Sequence, residues 1–142
     1  MSYKLLISII IPCYNLGEFL GPCLDSISNQ QDKEVEYIFV DDGSTDSTGE
    51  KLDIFCKQNT NTQVIHQGNK GVSEARNAAL AECRGEYVYL LDGDDILAPG
   101  AIEKMKAVIA GSSDIIMSPV AVVKDGVKKV LPLHIWLVEY QT

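Results

Sequence analysis

Nothing in this chain of 142 residues approaches the run of about 18 to 20 apolar residues that a membrane-spanning helix requires. The longest apolar stretch, Leu5-Leu6-Ile7-Ser8-Ile9-Ile10-Ile11, has the length of a strand and is stopped at once by Pro12. No small-residue cleavage site follows it, as one would after a signal peptide. The expectation is a cytoplasmic protein, with peripheral association at the inner membrane face through a partner or a missing segment. Positive charge is also scarce. Twelve Lys and Arg against twenty Asp and Glu leave a net charge of −8, which argues against nucleic acid as a partner, since that needs clustered cations. An acidic protein still binds phosphates when a cation neutralises them. The four cysteines, Cys13, Cys23, Cys56 and Cys83, form no C-x-x-C pair, so they read as reduced, partly buried thiols and not as a zinc site. Histidine is rarer still. His66 and His134 stand alone in the sequence and read as loop or packing residues. Ser44 has no His and Asp partners in sequence that would support nucleophilic hydrolysis.

What is present is an alternation of buried strands and amphipathic helices. Residues 5–11 form a β-branched and leucine run, as in a strand buried on both faces. Leu16, Phe19, Leu20, Leu24 and Ile27 recur at helical spacing and predict a helix over about 16–30, weakened early by Gly21 and Pro22. Tyr37-Ile38-Phe39-Val40 is a second buried strand. Ser47-x-x-Glu50 has the form of a capping box, opening a helix that packs through Leu52, Phe55 and Cys56. Gln63-Val64-Ile65 is a weaker third strand. An alanine-rich helix follows, capped by Ser73, with Gly85 as its C′ residue. The strand Tyr87–Leu91 comes next. Pro99 then fits the first turn of a helix carried by Ile102, Met105, Lys106 and Ile109 and ended by Gly111. Ile115-Ile116-Met117 is a short strand, and Val120 to Leu131 reads as a β-hairpin with a type I′ turn at Asp125-Gly126.

At least four alternations, without repeats or low-complexity linkers, imply an α/β fold with a doubly wound, mostly parallel sheet flanked by helices and closed by a C-terminal hairpin. Ligands bind beyond the carboxyl ends of such strands. Three polar motifs directly follow strands: Pro12-Cys13-Tyr14-Asn15, Asp41-Asp42-Gly43-Ser44 and Asp92-Gly93-Asp94-Asp95. All three are therefore expected on one edge of one sheet.

Three carboxylates within four residues repel one another and call for a counter-charge. An all-oxygen cluster favours Mg²⁺ or Mn²⁺, with substrate phosphates completing the shell. The alternative is an exposed acidic turn in which Asp94 or Asp95 caps the next helix. An EF-hand loop is excluded, because its required sixth-position glycine is Leu97 here. Asp41 and Asp42 either form a plain turn or accept a nucleobase N–H or a ribose hydroxyl. Tyr14 either stacks on a base or packs beside its strand. Lys70-Gly71-Val72-Ser73 and Arg76 put two cations at a loop-to-helix junction suited to a diphosphate. Against that stands a surface ion pair with Glu74 or Glu82.

Taken together, Ser8–Asn15, Val40–Asp46, Lys70–Asn77 and Gly85-Glu86-Tyr87 leading to Leu91–Asp95 resemble family 2 glycosyltransferases of GT-A fold, in order and approximate spacing over residues 7–110. The resemblance implies a nucleotide-sugar donor held by Pro12, Tyr14, Asn15, Asp41, Asp42, Ser44, Lys70, Arg76, Asp92 and Gly93. Asp41 would border the base, Asp92 would reach the ribose, and Asp94 would coordinate Mn²⁺ or Mg²⁺; Glu18 is a weaker donor-side candidate. It further implies inverting transfer from a UDP-sugar to a hydroxyl of a glycan or lipid-linked acceptor, in polysaccharide or glycan synthesis. The alternative is a non-catalytic or regulatory nucleotide-sugar-binding module. A nucleotidyltransferase would want a basic glycine-rich loop after the first strand, and an aspartyl-phosphate phosphatase an Asp there; neither is present. The catalytic base is not identified. Family members usually draw it from a later Glu-Asp pair, which is absent here together with a Q-x-x-R-W-type motif. The expectation is a nucleotide-sugar-binding core at 1–118 and the start of an acceptor-side region at 119–142, in a fragment of a longer enzyme.

Overall fold

A computed structural model describes residues 4–111 in full and residues 115–124 and 127–139 by their backbone. Ten elements follow in order: β1 (Ile7–Cys13), α1 (Leu20–Ser28), β2 (Val35–Asp42), α2 (Thr48–Gln58), β3 (Thr62–Gln67), α3 (Val72–Glu82), β4 (Tyr87–Leu90), α4 (Ala101–Ile109), β5 (Ile115–Lys124) and β6 (Val127–Glu139). The strands form one sheet in the order β3-β2-β1-β4-β6-β5. β1 is parallel to β2 and β4, β2 is parallel to β3, and β6 runs antiparallel to both β4 and β5. The α/β sheet with helices on both faces is thus as the sequence implies. Among the described residues no helix is long and apolar enough to cross a membrane.

Side chains alternate across a strand, and the sheet sorts them accordingly. Ile7, Ile9 and Ile11 of β1 join Val35, Tyr37 and Phe39 of β2 in the larger core, which α1, α2 and α4 cover. There Phe39 meets Phe55 of α2 edge to face at 5.6 Å. Ile10, Ile38 and Val40 face the other way, onto Ala75 and Ala79 of α3. Small residues four apart let that helix lie close to the sheet. Every residue of β1 and β2 is buried, which is why both read as continuous apolar runs.

Several helix boundaries differ from the sequence expectation, each for a local reason. α1 starts at Leu20, not near residue 16; residues 16–19 form a turn in which Phe19 and Leu20 donate to the Leu16 carbonyl and Gly17 donates to Asp46. Pro22 then falls in the first turn, where a missing N–H costs nothing. Ser47 makes no side-chain cap. Asp46 takes that part, accepting the N–H and hydroxyl of Thr48 at 2.9 and 2.5 Å. Ser73 lies inside α3, whose entry is made by Gly71 at φ +94°. Gly100, in the left-handed region at φ +75°, delays α4 until Ala101, so Pro99 sits just before the helix.

Gly85 is required by space and not by a C′ conformation. A Cβ there would lie 2.6 Å from the backbone N of Ser8 and 2.7 Å from the carbonyl carbon of Ile7. The approach is held by a buried polar knot. The Gly85 N–H donates to Ser8 Oγ at 2.9 Å, the Ser8 hydroxyl donates to Glu36 Oε1 at 2.6 Å, and Arg84 donates its N–H, Nε and Nη2 to the same carboxylate at 2.7 to 3.0 Å. This pins the α3–β4 connection to the amino ends of β1 and β2.

β5 and β6 form the expected hairpin, but it is longer, pairing from Ile115 with Val138 to Lys124 with Val127. Pro119 pairs with His134 and Val120 with Leu131, so Pro132 and Leu133 fall outside the ladder. Proline lacks a ladder donor and tolerates such an interruption. The turn type expected at Asp125-Gly126 and the side chain of His134 lie outside the described residues.

Gly85→Ala is expected to cost about 1 to 3 kcal/mol, the usual penalty of overpacking against fixed atoms. Gly68, where a Cβ would meet nothing within 4 Å, should tolerate alanine within about 0.5 kcal/mol. Urea denaturation of the two variants checks this, and equal losses would contradict the assigned close approach.

Candidate functional site

The strand order reverses between β1 and β4, so their carboxyl ends flank a switch point. All three polar motifs emerge on that edge: β1 ends at Cys13, β2 at Asp42 and β4 at Leu90. Pro12 is buried, in register with Val40, while Tyr14 is 47% exposed and Glu18 is exposed. Asn15 adopts φ +49°, a conformation asparagine tolerates better than most residues. Its N–H donates to Ser44 Oγ at 3.0 Å, and its side-chain oxygen accepts the Thr45 N–H at 2.9 Å. Two more bonds continue the seam, Leu16 N–H to Thr48 Oγ1 and Gly17 N–H to Asp46 Oδ2, each at 2.9 Å. The Lys51 ammonium closes it on the Gly17 carbonyl. Asn15 and Ser44 thus join the β1–α1 and β2–α2 loops into one rim.

Asp41 and Asp42 point to opposite faces of β2 and do different work. Asp41 accepts the Ser44 N–H on Oδ1, and His66 Nδ1 stands 3.0 Å from its Oδ2. The far nitrogen of the same ring lies 2.9 Å from Asp53 on α2. Hydrogen bonds from Asp53 and then Asp41 push the imidazole pKa above its ordinary 6.5. From the sequence alone His66 reads as an isolated loop or packing residue. Its partners lie 25 and 13 residues away, and only β3's register opposite β2 brings them within reach. Asp42 accepts Gln67 Nε2 and the Lys70 N–H at 2.8 Å and the Gly71 N–H at 2.9 Å. Burial works against its charge, but these donors and the nearby Lys70 hold its carboxyl below the usual range. Asp42 therefore builds the loop that starts α3, and the Lys70 side chain is left exposed.

Arg76 reaches from α3 to Asp92, Nη2 to Oδ1 at 3.0 Å, across the switch point. That pairing differs from the surface pair with Glu74 or Glu82 considered from sequence. Its Nε is buried with no hydrogen-bond partner among the described residues, a donor aimed inward with nothing to receive it. After Asp92 the chain turns, Asp95 N–H donating to the Asp92 carbonyl at 2.9 Å. Gly93 is needed because a Cβ would come within 2.8 Å of Cys13 Sγ and of Leu16. This packs the acidic loop onto the end of β1. Asp94 is exposed and makes no hydrogen bond or ion pair among the described residues. Asp95 has its pKa raised, first by burial and then by the charges of Asp94 and Asp92. Burial likewise pushes up the thiol of Cys13, helped by Cys23 and by the carboxylates of Asp41, Asp94 and Asp92. For Cys23 the value reaches about 12. These are inert thiols, as expected, and they report that three aspartates share one corner.

Among the described residues no three His, Cys, Asp or Glu side chains converge as a ready metal cage. What the corner offers is a partly desolvated carboxylate cluster with Arg76 paired to Asp92 against it. Such a cluster fits a hard divalent ion whose remaining ligands come from phosphate and water. A cleft of about 610 Å³ lies at the opposite sheet edge beside Glu36, Arg84 and Gln63. There Arg84 is already committed to Glu36, and the exposed Glu82 adds a carboxylate to the same lining.

The profile of Glycosyl transferase family 2 matches residues 8–141. The chain belongs to this family. "Glycosyltransferase GlyG" of Streptococcus pneumoniae is 42% identical over 101 residues, covering 70% of this chain and 34% of GlyG. Among solved structures, S. aureus TarS 1–349 in complex with UDP-GlcNAc superposes with a TM-score of 0.73 at 30% identity, over 78% of this chain and 33% of that one. The mannosyltransferase PcManGT of Pyrobaculum calidifontis, in complex with GDP-Man and Mn²⁺, gives 0.69 at 23% identity, over 87% and 37% of the two chains. That last likeness speaks to the fold alone. The family 2 chain described here spans about a third of the length of these relatives, and its fold is that of GT-A glycosyltransferases.

A family 2 loop built on Asp42 carries a pH signature. A depressed carboxyl pKa stabilises the fold above the unfolded value and loses that effect as pH falls through the folded value. Asp42→Asn is therefore expected to cost about 1.5 to 3 kcal/mol at pH 7, the worth of hydrogen bonds to a charged group. The difference from wild type should shrink below about pH 4. Denaturant melts at pH 7 and pH 3 check this, and a difference independent of pH would contradict the role given to the carboxylate.

Proposed function

We propose that this chain is the nucleotide-sugar-binding part of an inverting glycosyltransferase that passes a sugar from a UDP-sugar to an acceptor hydroxyl in glycan or polysaccharide assembly. Residues 1–118 form its donor core, and 119–142 begin the acceptor side. The observation that carries the reading is the Arg76–Asp92 pair at the switch point of a family 2 sheet, with Tyr14 and Asp41 at the same carboxyl edge, after β1 and at the end of β2. The TarS complex with UDP-GlcNAc supports a UDP-sugar over other donors.

In this reading Tyr14, exposed beside the buried Pro12, offers its ring to the base. Asp41 accepts a base N–H, its carboxylate oriented by the His66 ring and the Ser44 N–H. Asp92 takes a ribose hydroxyl on the oxygen that Arg76 leaves free. The Arg76 guanidinium and the exposed Lys70 lie toward the diphosphate, where paired cations are at their most effective. Asn15, Ser44, Asp42 and Gly93 hold the loops and make no contact with the donor in this scheme, while Glu18 lies at the outer rim. Asp94 would hold Mn²⁺ or Mg²⁺ together with the phosphates. When bound, that ion supplies Lewis-acid stabilisation of the leaving nucleoside diphosphate. The chain's own part is to orient the donor and set cations where negative charge develops.

UDP with Mn²⁺ is expected to raise the melting temperature by several degrees, since ligand at a hundredfold excess over Kd adds about 2.7 kcal/mol. Asp94→Ala should abolish most of the metal-dependent shift and leave the apo melting temperature near wild type. An undiminished metal-dependent shift in the variant, read by differential scanning fluorimetry, would remove Asp94 from the metal site.

A further inference from the structure

The contacts of His66 require two protons on one ring. Ionised Asp41 and Asp53 are acceptors only, and they face Nδ1 and Nε2 at 3.0 and 2.9 Å. A neutral imidazole carries a single N–H, so it would set a lone pair against one of the two carboxylates. Both contacts are hydrogen bonds only in the imidazolium form. Asp41 from β2 and Asp53 from α2 are the charged groups that face the ring. Gly49 of α2 closes over it, where a Cβ would come within 2.7 Å of Asp41 Oδ2 and 3.5 Å of His66 Cε1. Asp42 and Gln67, the neighbouring register pair, bond to each other and belong to the other face of the sheet.

The two carboxylates differ in a way that gives the bridge a direction. Asp41 is buried, its side chain 10% exposed, whereas Asp53 is 48% exposed on a helix surface. Asp53 is therefore the adjustable end and Asp41 the end that matters to the binding edge. With Ser44 N–H on Oδ1 and His66 on Oδ2, the Asp41 carboxylate is fixed about its own axis, and each oxygen keeps a free lone pair.

We infer that His66 is a positioning residue for donor binding: as an imidazolium strung between Asp53 and Asp41 it fixes the Asp41 carboxylate to accept a nucleobase N–H, making donor affinity depend on the ring's protonation. The inference rests on the reading of Asp41 given under Proposed function. The raised pKa of His66 agrees in sign. Stability and affinity due to the bridge are complete below the ordinary 6.5 and are lost as pH rises through the folded-state value. Removing Asp53, which touches no part of the proposed donor site, should lower that value and make the loss occur at a lower pH.

The test is UDP affinity by titration calorimetry with Mg²⁺ from pH 6 to 8.5, for wild type, Asp53→Asn and His66→Gln. UDP's own ionisation is common to all three and cancels in the comparison. Wild-type affinity should fall about three- to tenfold across the range, the worth of one hydrogen bond. Asp53→Asn should bind as wild type does at pH 6 but show its fall at lower pH, and His66→Gln should bind weakly with no fall beyond that of UDP itself. Superimposable profiles in the three proteins would overturn the inference while leaving the donor site intact, even if the variants melt earlier. Failure of wild type to bind UDP at any pH would overturn both readings.

Discussion

Two consecutive carboxylates at the end of β2 govern this molecule. Because strand side chains alternate, Asp41 and Asp42 cannot face the same way. Asp41 continues the line of Tyr37 and Phe39 toward α2, and Asp42 continues that of Ile38 and Val40 toward α3. Each then organises the loop on its own side. Asp41 holds the Ser44 turn and the His66 ring, while Asp42 takes three donors from the segment that opens α3. The position of Arg76 depends on the second of these, and with it the ion pair to Asp92 that spans the switch point. One dipeptide thus ties the base side of the edge to the diphosphate side.

The opposite edge shows the same economy with the roles reversed. There Glu36 and Ser8 accept and relay the bonds that Arg84 and Gly85 donate. These groups satisfy one another around the buried Glu36 and Ser8, and such a network rigidifies. At the carboxyl edge the balance is left open. Among the described residues Arg76 Nε has no partner and Asp94 has none, and burial and then the neighbouring Asp94 and Asp92 oppose the charge of Asp95. Unmet polar capacity collected at one edge is what separates a binding site from a fold-holding knot.

Much of this was legible in the sequence because its cause is local. β1 and β2 are buried on both faces, so their apolar runs announce parallel strands, and the alternation with helices implies the sheet. The convergence of the three strand-end motifs followed from topology alone. Less legible was whatever depends on a partner far along the chain. His66 looked isolated because Asp41 is 25 residues away, and Gly85 looked like a helix terminator because the Ser8 backbone that crowds it is 77 residues away. Helix entries differ partly for a related reason: Gly17 and Gly71 give their N–H groups to Asp46 and Asp42, 29 residues away in each case, while α2 is capped by Asp46, next to the Ser47 that the sequence suggests.

The central claim is that a nucleotide and its metal sit at the carboxyl edge, against Asp92–Asp95, with the base toward Tyr14 and Asp41. Paramagnetic broadening of assigned backbone amide signals by substoichiometric Mn²⁺ with UDP tests it most directly. The account predicts broadening centred on residues 92–95, extending to 14–17 and 70–76, and absent around Glu36 and Arg84. Broadening centred on the cleft beside Glu36 and Arg84, or spread evenly over the chain, would contradict it.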